Sequence, residues 1–182
     1  MGFIRKYLYE TMGKGLDLAP LGDIAPNPTR LLRAICKVES AGGDPRHAMR
    51  YEEGFYGRYI AKSSSSIVLD LYLRHGKELA TSWGCMQVMG LVAYELPEDP
   101  LPKDIGPNAL LDPRLCMYFA VQLINCRCIP SAVLAIHRGL HPRTEPGAVA
   151  AIADAYNSGS AIDRMRPEGY IAKVLAAYEE AE

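Results

Sequence analysis

The sequence predicts a predominantly α-helical domain, with at most a small β-hairpin in residues 45–65. Apolar residues recur at helical spacing in several segments that have helix start and stop signals, and no convincing pair of alternating strands is present. The 182 residues, 49% of them hydrophobic, suffice for a single core. We therefore expect a lead-in over residues 1–28, which contains three prolines, and one domain over residues 29–182.

The first clear helix carries a carboxylate on its apolar face. Thr29 is the expected N-cap, and the helix runs from there to about Ser40. On a helical wheel Glu39 falls between Leu32 and Ile35. A carboxylate in that position costs free energy unless it is paired, for example with an arginine, or is used in function. Glu39 is therefore the first candidate for a functional residue.

The other helices are expected where the helical pattern returns. Asp112 and Pro113 form the N-cap and the first residue of one of them, and Gly139 ends another. Their expected ranges are 67–73, 85–96, 112–127, 131–138, 147–156 and 167–180.

The charge and hydropathy of the chain favour neither nucleic acid nor a membrane as its partner. The formal net charge is -1, whereas binding to either of these would favour a basic surface. No run of 18 apolar residues is present, and the N-terminal segment lacks the apolar run and the cleavage site of a secretory signal. We therefore expect synthesis in the cytoplasm and no stable insertion into a membrane.

The cysteines and histidines show no metal-binding or redox spacing. The four histidines are scattered without an HExxH arrangement, and Cys126 and Cys128 are separated by one residue rather than two. The five cysteines have apolar neighbours, which indicates small buried hydrophobic residues of a protein made in a reducing compartment. We expect neither a metal nor a cofactor.

Four short motifs carry the strongest functional signal. They are Glu39-Ser40 followed by Gly42-Gly43, the segment 82–89 (SWGCMQVM), the segment 155–159 (AYNSG) and the segment 170–174 (YIAKV). In this order and approximate spacing they resemble the SLT-type lytic transglycosylase domain, a lysozyme-like α fold that cleaves peptidoglycan. The resemblance spans about residues 29–178 and rests on the four motifs together, since each alone is weak.

The resemblance implies cleavage, without water, of the β-1,4 bond between N-acetylmuramic acid and N-acetylglucosamine in peptidoglycan glycan strands. Glu39 would protonate the leaving oxygen and then take the proton of the sugar 6-hydroxyl, which closes a 1,6-anhydro ring. The substrate's own N-acetyl group would stabilise the intermediate. Such an acid must keep its proton near neutral pH, and an apolar setting raises the pKa of a glutamate from about 4.3 toward roughly 6. This chemistry requires no cofactor, and we expect a monomer.

Six other residues of these motifs are candidates for substrate binding or positioning. They are Ser40, Met86, Gln87, Tyr156, Asn157 and Tyr170. The Ser40 hydroxyl suits either a bond to the N-acetyl group or a cap on the chain. The Gln87 amide suits a sugar amide or hydroxyl, and a bond to the backbone is the alternative.

The roles of the remaining candidates are also open between a site and the core. Met86 and Tyr170 fit either the wall of a sugar site or hydrophobic packing. Tyr156 offers a hydroxyl that would hold Glu39, or it belongs to the core. Asn157 is expected to shape the turn that follows it, with a substrate contact as its second role.

Two features depart from the family pattern. Cys85 stands where the family usually has leucine or another apolar residue, and we expect an adjustment of packing there. The stretch 45–81 is long and resembles the insertion of phage-encoded members. A phage enzyme of this kind would reach the periplasmic wall through a holin, a virion or another route of delivery.

Two other functions are compatible with the same sequence. A goose-type lysozyme would cut the same bond with water and would need a second carboxylate, for which Asp44, Glu52 and Glu53 are the candidates. Asp44 precedes Pro45 and also fits a turn, and the two glutamates also fit a solvated surface. An inactive peptidoglycan-binding or structural phage module is the other alternative. It would gain nothing from an acid on an apolar face.

Overall fold

The computed structural model of the protein describes residues 9, 12–159, 161–162 and 167–181. The fold is 66% helical and contains a small three-stranded antiparallel sheet. These features confirm the predicted predominantly α fold with a small β element.

The described elements alternate between helices, short helical turns and three short strands. The α-helices are α1 (Pro28–Ser40), α2 (Ser66–His75), α3 (Gly90–Tyr94), α4 (Pro113–Leu123), α5 (Ile129–His137), α6 (Glu145–Ser158) and α7 (Glu168–Glu180). The strands are β1 (Met49–Tyr51), β2 (Thr81–Trp83) and β3 (Val88–Met89). The helical turns are Ala19–Ile24, Pro45–His47, Glu53–Phe55, Tyr56–Ile60, Gly76–Ala80, Pro107–Leu111 and Ile124–Cys128.

The chain forms two compact units. One, the helical unit, is built from the two ends of the chain, up to Val38 and from Ala120 onward. The other, the sheet unit, is the continuous segment Glu39–Phe119. The chain passes from one unit to the other within α1 and again within α4.

Helix α6 lies at the centre of the helical unit and packs against α5 and α7. Every residue from Gly147 to Ala155 is buried, and all of them except Asp154 are apolar or glycine, as expected for a helix enclosed on all sides. The Thr144 hydroxyl caps the N-terminus by accepting a hydrogen bond from the Gly147 N–H at 3.2 Å, and Gly159 ends the helix with a φ of 86°. The motif at 155–159 is therefore the end of a buried helix.

The sheet unit has β2 in the middle of its sheet, with β1 and β3 antiparallel on either side. Strand β1 lies within the region 45–65 where a hairpin was expected, and its partner strand, β2, comes from further along the chain. Helix α2 contributes Leu71, which is fully buried in one cluster with Leu79 and Leu91. This cluster forms a hydrophobic core next to the sheet.

Helix α1 begins earlier than predicted, because Asn27 rather than Thr29 is its N-cap. The Asn27 side-chain oxygen accepts a hydrogen bond from the Arg30 N–H at 3.0 Å, and its carbonyl accepts one from the Leu31 N–H at 3.0 Å. Pro28 takes the first helical position, where its fixed φ and missing N–H are favourable. The expected Thr29 cap is therefore wrong.

The segment 85–96 is not the continuous helix that its apolar pattern predicts. It contains a turn, strand β3 and the short helix α3. Gln87 has a φ of 50°, in the left-handed region that interrupts a right-handed helix. A side chain held in this conformation by its contacts leaves no trace in the pattern of apolar residues.

The longest apolar helical stretch is formed by α4, the turn Ile124–Cys128 and α5. Of the residues that the structure describes, only this stretch, Pro113–His137, is long and apolar enough to cross a membrane by length and composition. Core helices meet the same criterion, and 44% of its most apolar window is buried inside the protein. Its place in the middle of the chain is not that of a signal sequence.

Candidate active site

Glu39 lies in the last turn of α1 and is half-buried. Earlier in the same helix, Leu32 and Ile35 are fully buried, so the helix has the apolar face that the sequence predicts. The chain then leaves α1 through residues 41–43, which have φ values of 51°, 77° and 85°. Two of these three residues are glycines, which adopt positive φ without steric cost, so the helix ends sharply just after Glu39.

Ser40 joins this helix end to the turn that precedes β3. Its hydroxyl donates a hydrogen bond to the Cys85 carbonyl at 2.6 Å and accepts one from the Gly43 N–H at 2.8 Å. The residue is only 1% exposed. Of the two roles that the sequence leaves open for Ser40, the geometry therefore provides the cap on the chain.

Gln87 has an amide whose orientation is fixed by its partners. Its Nε2 donates hydrogen bonds to the His47 carbonyl at 2.8 Å and to the Gly84 carbonyl at 2.9 Å. Both partners are acceptors, so the amide must present its NH2 group to them. The remaining atom of the amide, Oε1, is a pure hydrogen-bond acceptor.

The Gln87 Oε1 atom accepts no hydrogen bond from the described residues. In that part of the chain no buried side-chain nitrogen or oxygen lacks a partner. An unpartnered Oε1 is therefore not a buried atom, even though the residue as a whole is only 8% exposed. Such an oxygen is suited to accept a hydrogen bond from a sugar hydroxyl or an acetamido N–H.

The turn that holds Gln87 is packed tightly against Leu110 and Cys116. Gly84 has a φ of 71°, and a Cβ at this position would overlap the Leu110 carbonyl and lie 2.7 Å from the Cys116 sulfur. Met86 is fully buried, and its N–H donates a hydrogen bond to Cys116 Sγ at 3.3 Å. Met86 thus lies in the core of the sheet unit rather than on a surface that a sugar contacts.

The sole tryptophan, Trp83, is a buried core residue. Trp83 is 5% exposed, and its indole N–H donates a hydrogen bond to the Glu78 carbonyl at 3.0 Å. It therefore fixes the start of the turn and does not present a stacking face for a sugar ring.

Asp44, a candidate second carboxylate, is bound to its neighbour in a surface turn. The Arg46 guanidinium donates hydrogen bonds to both of its carboxylate oxygens, at 2.6 to 3.1 Å, and the Arg46 N–H donates another at 2.9 Å. These hydrogen bonds lower the pKa of Asp44 to about 2. Because base strength falls with pKa, such a carboxylate is a weak general base.

The two glutamates that follow have surface positions. Glu52 is half-buried and accepts a hydrogen bond from the Arg50 guanidinium, whereas Glu53 is exposed at the start of a helical turn. All three candidate second carboxylates lie in the sheet unit, and two of them have an arginine partner.

The other candidates belong to the helical unit. Tyr156 and Asn157 lie in the last turn of α6, where Tyr156 is half-buried and Asn157 is exposed. Tyr170 lies in the first turn of α7 and is half-buried. Within the sheet unit, the structure brings together the helix end that carries Glu39 and Ser40 and the turn that carries Met86 and Gln87.

Sequence reasoning missed two features of the structure, a main-chain contact at the candidate site and a buried carboxylate in the helical unit. The His47 carbonyl fixes Gln87, and a main-chain carbonyl leaves no signal in a sequence. Asp154 is fully buried in α6, and one of its oxygens lies 3.3 Å from Nε2 of the buried His141. This carboxylate in the otherwise apolar, buried part of α6 could have been found by the same reasoning that found Glu39.

The described residues include no group of three or more histidine, cysteine or acidic side chains that could hold a metal ion. Comparisons with protein-family models, with curated proteins and with solved structures found no match to the chain.

Proposed function

We propose that the protein is a peptidoglycan lytic transglycosylase in which Glu39 acts first as the acid and then as the base. The observation that carries the proposal is local to the sheet unit. The Ser40 hydroxyl binds the Cys85 carbonyl, so the helix end that bears Glu39 is joined to the turn that bears Gln87. An acid and an amide acceptor without a partner among the described residues therefore occupy one region, and both belong to the motifs that resemble the transglycosylase domain.

The proposed reaction needs one carboxyl group of the protein. The protonated Glu39 donates its proton to the glycosidic oxygen, and the C1–O bond breaks while the N-acetyl carbonyl oxygen of the muramic acid residue bonds to C1. The Glu39 carboxylate then takes the proton of the 6-hydroxyl, whose oxygen displaces the acetyl oxygen at C1. This closes the 1,6-anhydro ring and returns Glu39 to its protonated form, so no water is consumed.

The state of the other carboxylates supports a transglycosylase over a hydrolase. A lysozyme that activates water would need a second carboxylate as base or nucleophile. Asp44 has a pKa lowered to about 2 by its hydrogen bonds to Arg46, and Glu52 is bound to Arg50. Asp44 is therefore a weak base for the activation of water, and Glu52 is held in an ion pair, whereas the remaining candidate, Glu53, lies exposed on the surface.

The test is digestion of purified peptidoglycan followed by mass spectrometry of the soluble products. We expect muropeptides that end in 1,6-anhydro-N-acetylmuramic acid, about 18 Da lighter than reducing-end products because no water is added. We expect no activity from Glu39→Gln, which keeps the shape of the side chain, and wild-type activity from the control Glu98→Gln, at an exposed position outside the candidate site.

Other outcomes would identify the alternatives. Reducing-end products would show a goose-type hydrolase, and variants of Asp44, Glu52 and Glu53 would then identify its second carboxylate. Binding to the peptidoglycan without any soluble product would show an inactive binding or structural module.

The resemblance of the stretch 45–81 to the insertion of phage-encoded members supports a phage enzyme. We propose that such an enzyme acts on periplasmic glycan strands after release through a holin, with a virion or by another route.

A further inference from the structure

Strand β1 has a free hydrogen-bonding edge. It is the outer strand of the sheet, and among the described residues only β2 pairs with it. All three of its residues are exposed, with Met49 65% and Tyr51 42% accessible. An exposed edge strand is a template on which another extended chain adds as a further strand.

The ladder between β1 and β2 shows which main-chain groups are available. The Gly84 N–H donates to the Ala48 carbonyl at 2.7 Å, and the Glu52 N–H donates to the Ala80 carbonyl at 2.8 Å. In an antiparallel ladder the hydrogen-bonded residues alternate, so residues 48, 50 and 52 face β2. The N–H and C=O groups of Met49 and Tyr51 consequently point away from the sheet and, within the described chain, have no partner.

The surroundings of this edge favour an anionic ligand. Lys77 places its ammonium group 5.6 Å from the centre of the Tyr51 ring, and no described carboxylate forms an ion pair with it. Arg50 is 60% exposed and bound to Glu52. The Lys77 ammonium, which has no described acidic partner, thus lies beside Tyr51.

The free edge is also continuous with the candidate active site. The His47 carbonyl holds the Gln87 amide at 2.8 Å, and β1 begins two residues later at Met49. A glycan that contacts Gln87 would therefore bring whatever is attached to it near the start of β1. The group attached to muramic acid in peptidoglycan is an extended stem peptide with free carboxylates.

We propose that the outward edge of β1, together with Lys77, binds the acidic stem peptide of peptidoglycan as an added strand. This inference rests on the proposed function. The N–H and C=O groups of Met49 and Tyr51 provide up to four main-chain hydrogen bonds, and Lys77 provides the charge for a stem carboxylate. Main-chain bonding suits this ligand because D-amino acids offer the same donors and acceptors.

Tyr51→Pro tests the edge without touching the sheet. Proline removes the outward N–H of residue 51, while the groups that bind β2 belong to residues 48, 50 and 52. The equivalent change at Met49 is avoided, because Ala48 has a ψ of -14° and the residue before a proline is driven out of this region. Tyr51→Ala is the matched control, since it removes the ring but keeps the N–H.

The measurement compares cleavage of glycan strands with intact stems and of the same strands after the stems have been removed by an amidase. We expect Tyr51→Pro to lower the rate on stem-bearing strands about fivefold relative to Tyr51→Ala, which corresponds to one lost hydrogen bond. On stem-free strands we expect the two variants to be equal. Equal rates of the two variants on both substrates would overturn the proposal.

A second measurement does not depend on activity or on the proline variant. The soluble stem pentapeptide is titrated into the wild-type protein while amide NMR signals are followed. We expect slowed hydrogen exchange at the Met49 and Tyr51 amides and a weaker effect in Lys77→Gln. If the hydrogen-exchange rates of these two amides stay unchanged throughout the titration, the stem site is refuted, even if glycan strands are cleaved. If the wild type cleaves neither substrate, the proposed function fails, and this titration alone decides the stem site.

Discussion

At the scale of single residues, Gln87 is the candidate whose chemistry is best defined by its partners. Its amide donates both N–H groups to main-chain carbonyls and keeps one oxygen that accepts no hydrogen bond from the described residues. Among side chains, only an amide provides two N–H donors and one oxygen acceptor in this arrangement. The residue also holds a φ of 50°, an uncommon value for a residue other than glycine.

Gln87→Glu is therefore expected to destabilise the sheet unit. A carboxylate has the same shape but cannot donate, so the His47 and Gly84 carbonyls would lose their partner and face a negative oxygen. We expect the free energy of unfolding to fall by about 2 kcal/mol or more, as measured by urea denaturation. Gln122→Glu, at a half-buried position in α4, is the matched control. Similar losses in the two variants would contradict this account of Gln87.

At the scale of elements, the turn between β2 and β3 determines where Gln87 lies. Gly84 lets this turn pass close to the Leu110 carbonyl and to Cys116, because a Cβ would overlap the former. Its φ of 71° is a second reason for glycine. The candidate site thus depends on one residue without a side chain.

Gly84→Ala is expected to displace this turn. We expect a loss of about 2 kcal/mol or more in the free energy of unfolding, since the alanine meets both positive φ and backbone overlap. Gly57→Ala is the control, because a Cβ at Gly57 meets nothing within 4 Å. Circular dichroism during urea unfolding measures both variants. A Gly84→Ala protein as stable as Gly57→Ala would show that the turn is not fixed by this contact.

The same elements show which parts of the fold can be predicted from sequence. Helix α4 starts where Asp112 and Pro113 indicate, and the Asp112 carboxylate accepts a hydrogen bond from the Arg114 N–H at 2.7 Å. Such signals are local. The pairing of β1 with β2 joins segments about 30 residues apart, and a strand of three residues is too short to show an alternating pattern. Its position therefore depends on tertiary contacts.

The residues of the candidate site can likewise be predicted from sequence only where the signal is local. Glu39 was identified because a carboxylate on an apolar helix face is visible in the helical pattern. Met86 was compatible with either a sugar site or the core, and only its complete burial in the structure separates the two. The role of His47 depends on its carbonyl, a group that every residue has.

At the scale of the whole molecule, each unit contains a tyrosine whose ionisation is opposed by burial. Desolvation raises the pKa of Tyr94, in the sheet unit, to about 12, and the Glu78 carboxylate adds to this effect. Desolvation and the hydrogen bond to Glu145 raise the pKa of Tyr178, in the helical unit, to about 12. The Tyr178 hydroxyl also accepts a hydrogen bond from the Asn27 N–H at 2.7 Å.

These shifts predict a loss of stability in alkali. A tyrosine in the unfolded chain ionises near pH 10, whereas these two keep their protons in the folded protein until about pH 12. The contribution of these two tyrosines to the free energy of unfolding is complete below pH 10 and is lost as the pH rises through 12. Between these pH values the unfolded state binds fewer protons than the folded state. We expect the free energy of unfolding, measured in urea from pH 9 to pH 12, to fall across this range.

Tyr178→Phe should flatten that fall, although it also removes the hydroxyl bonds to Asn27 and Glu145 and lowers stability at every pH. The slope against pH, rather than the stability at one pH, is therefore the quantity to compare. Tyr59→Phe, at a side chain that is 52% exposed in the folded protein, is the matched control, and we expect it to change the slope less than Tyr178→Phe does. An unchanged slope in Tyr178→Phe would mean that its hydroxyl ionises as easily in the folded as in the unfolded chain. Burial in the folded protein would then not raise the pKa of Tyr178.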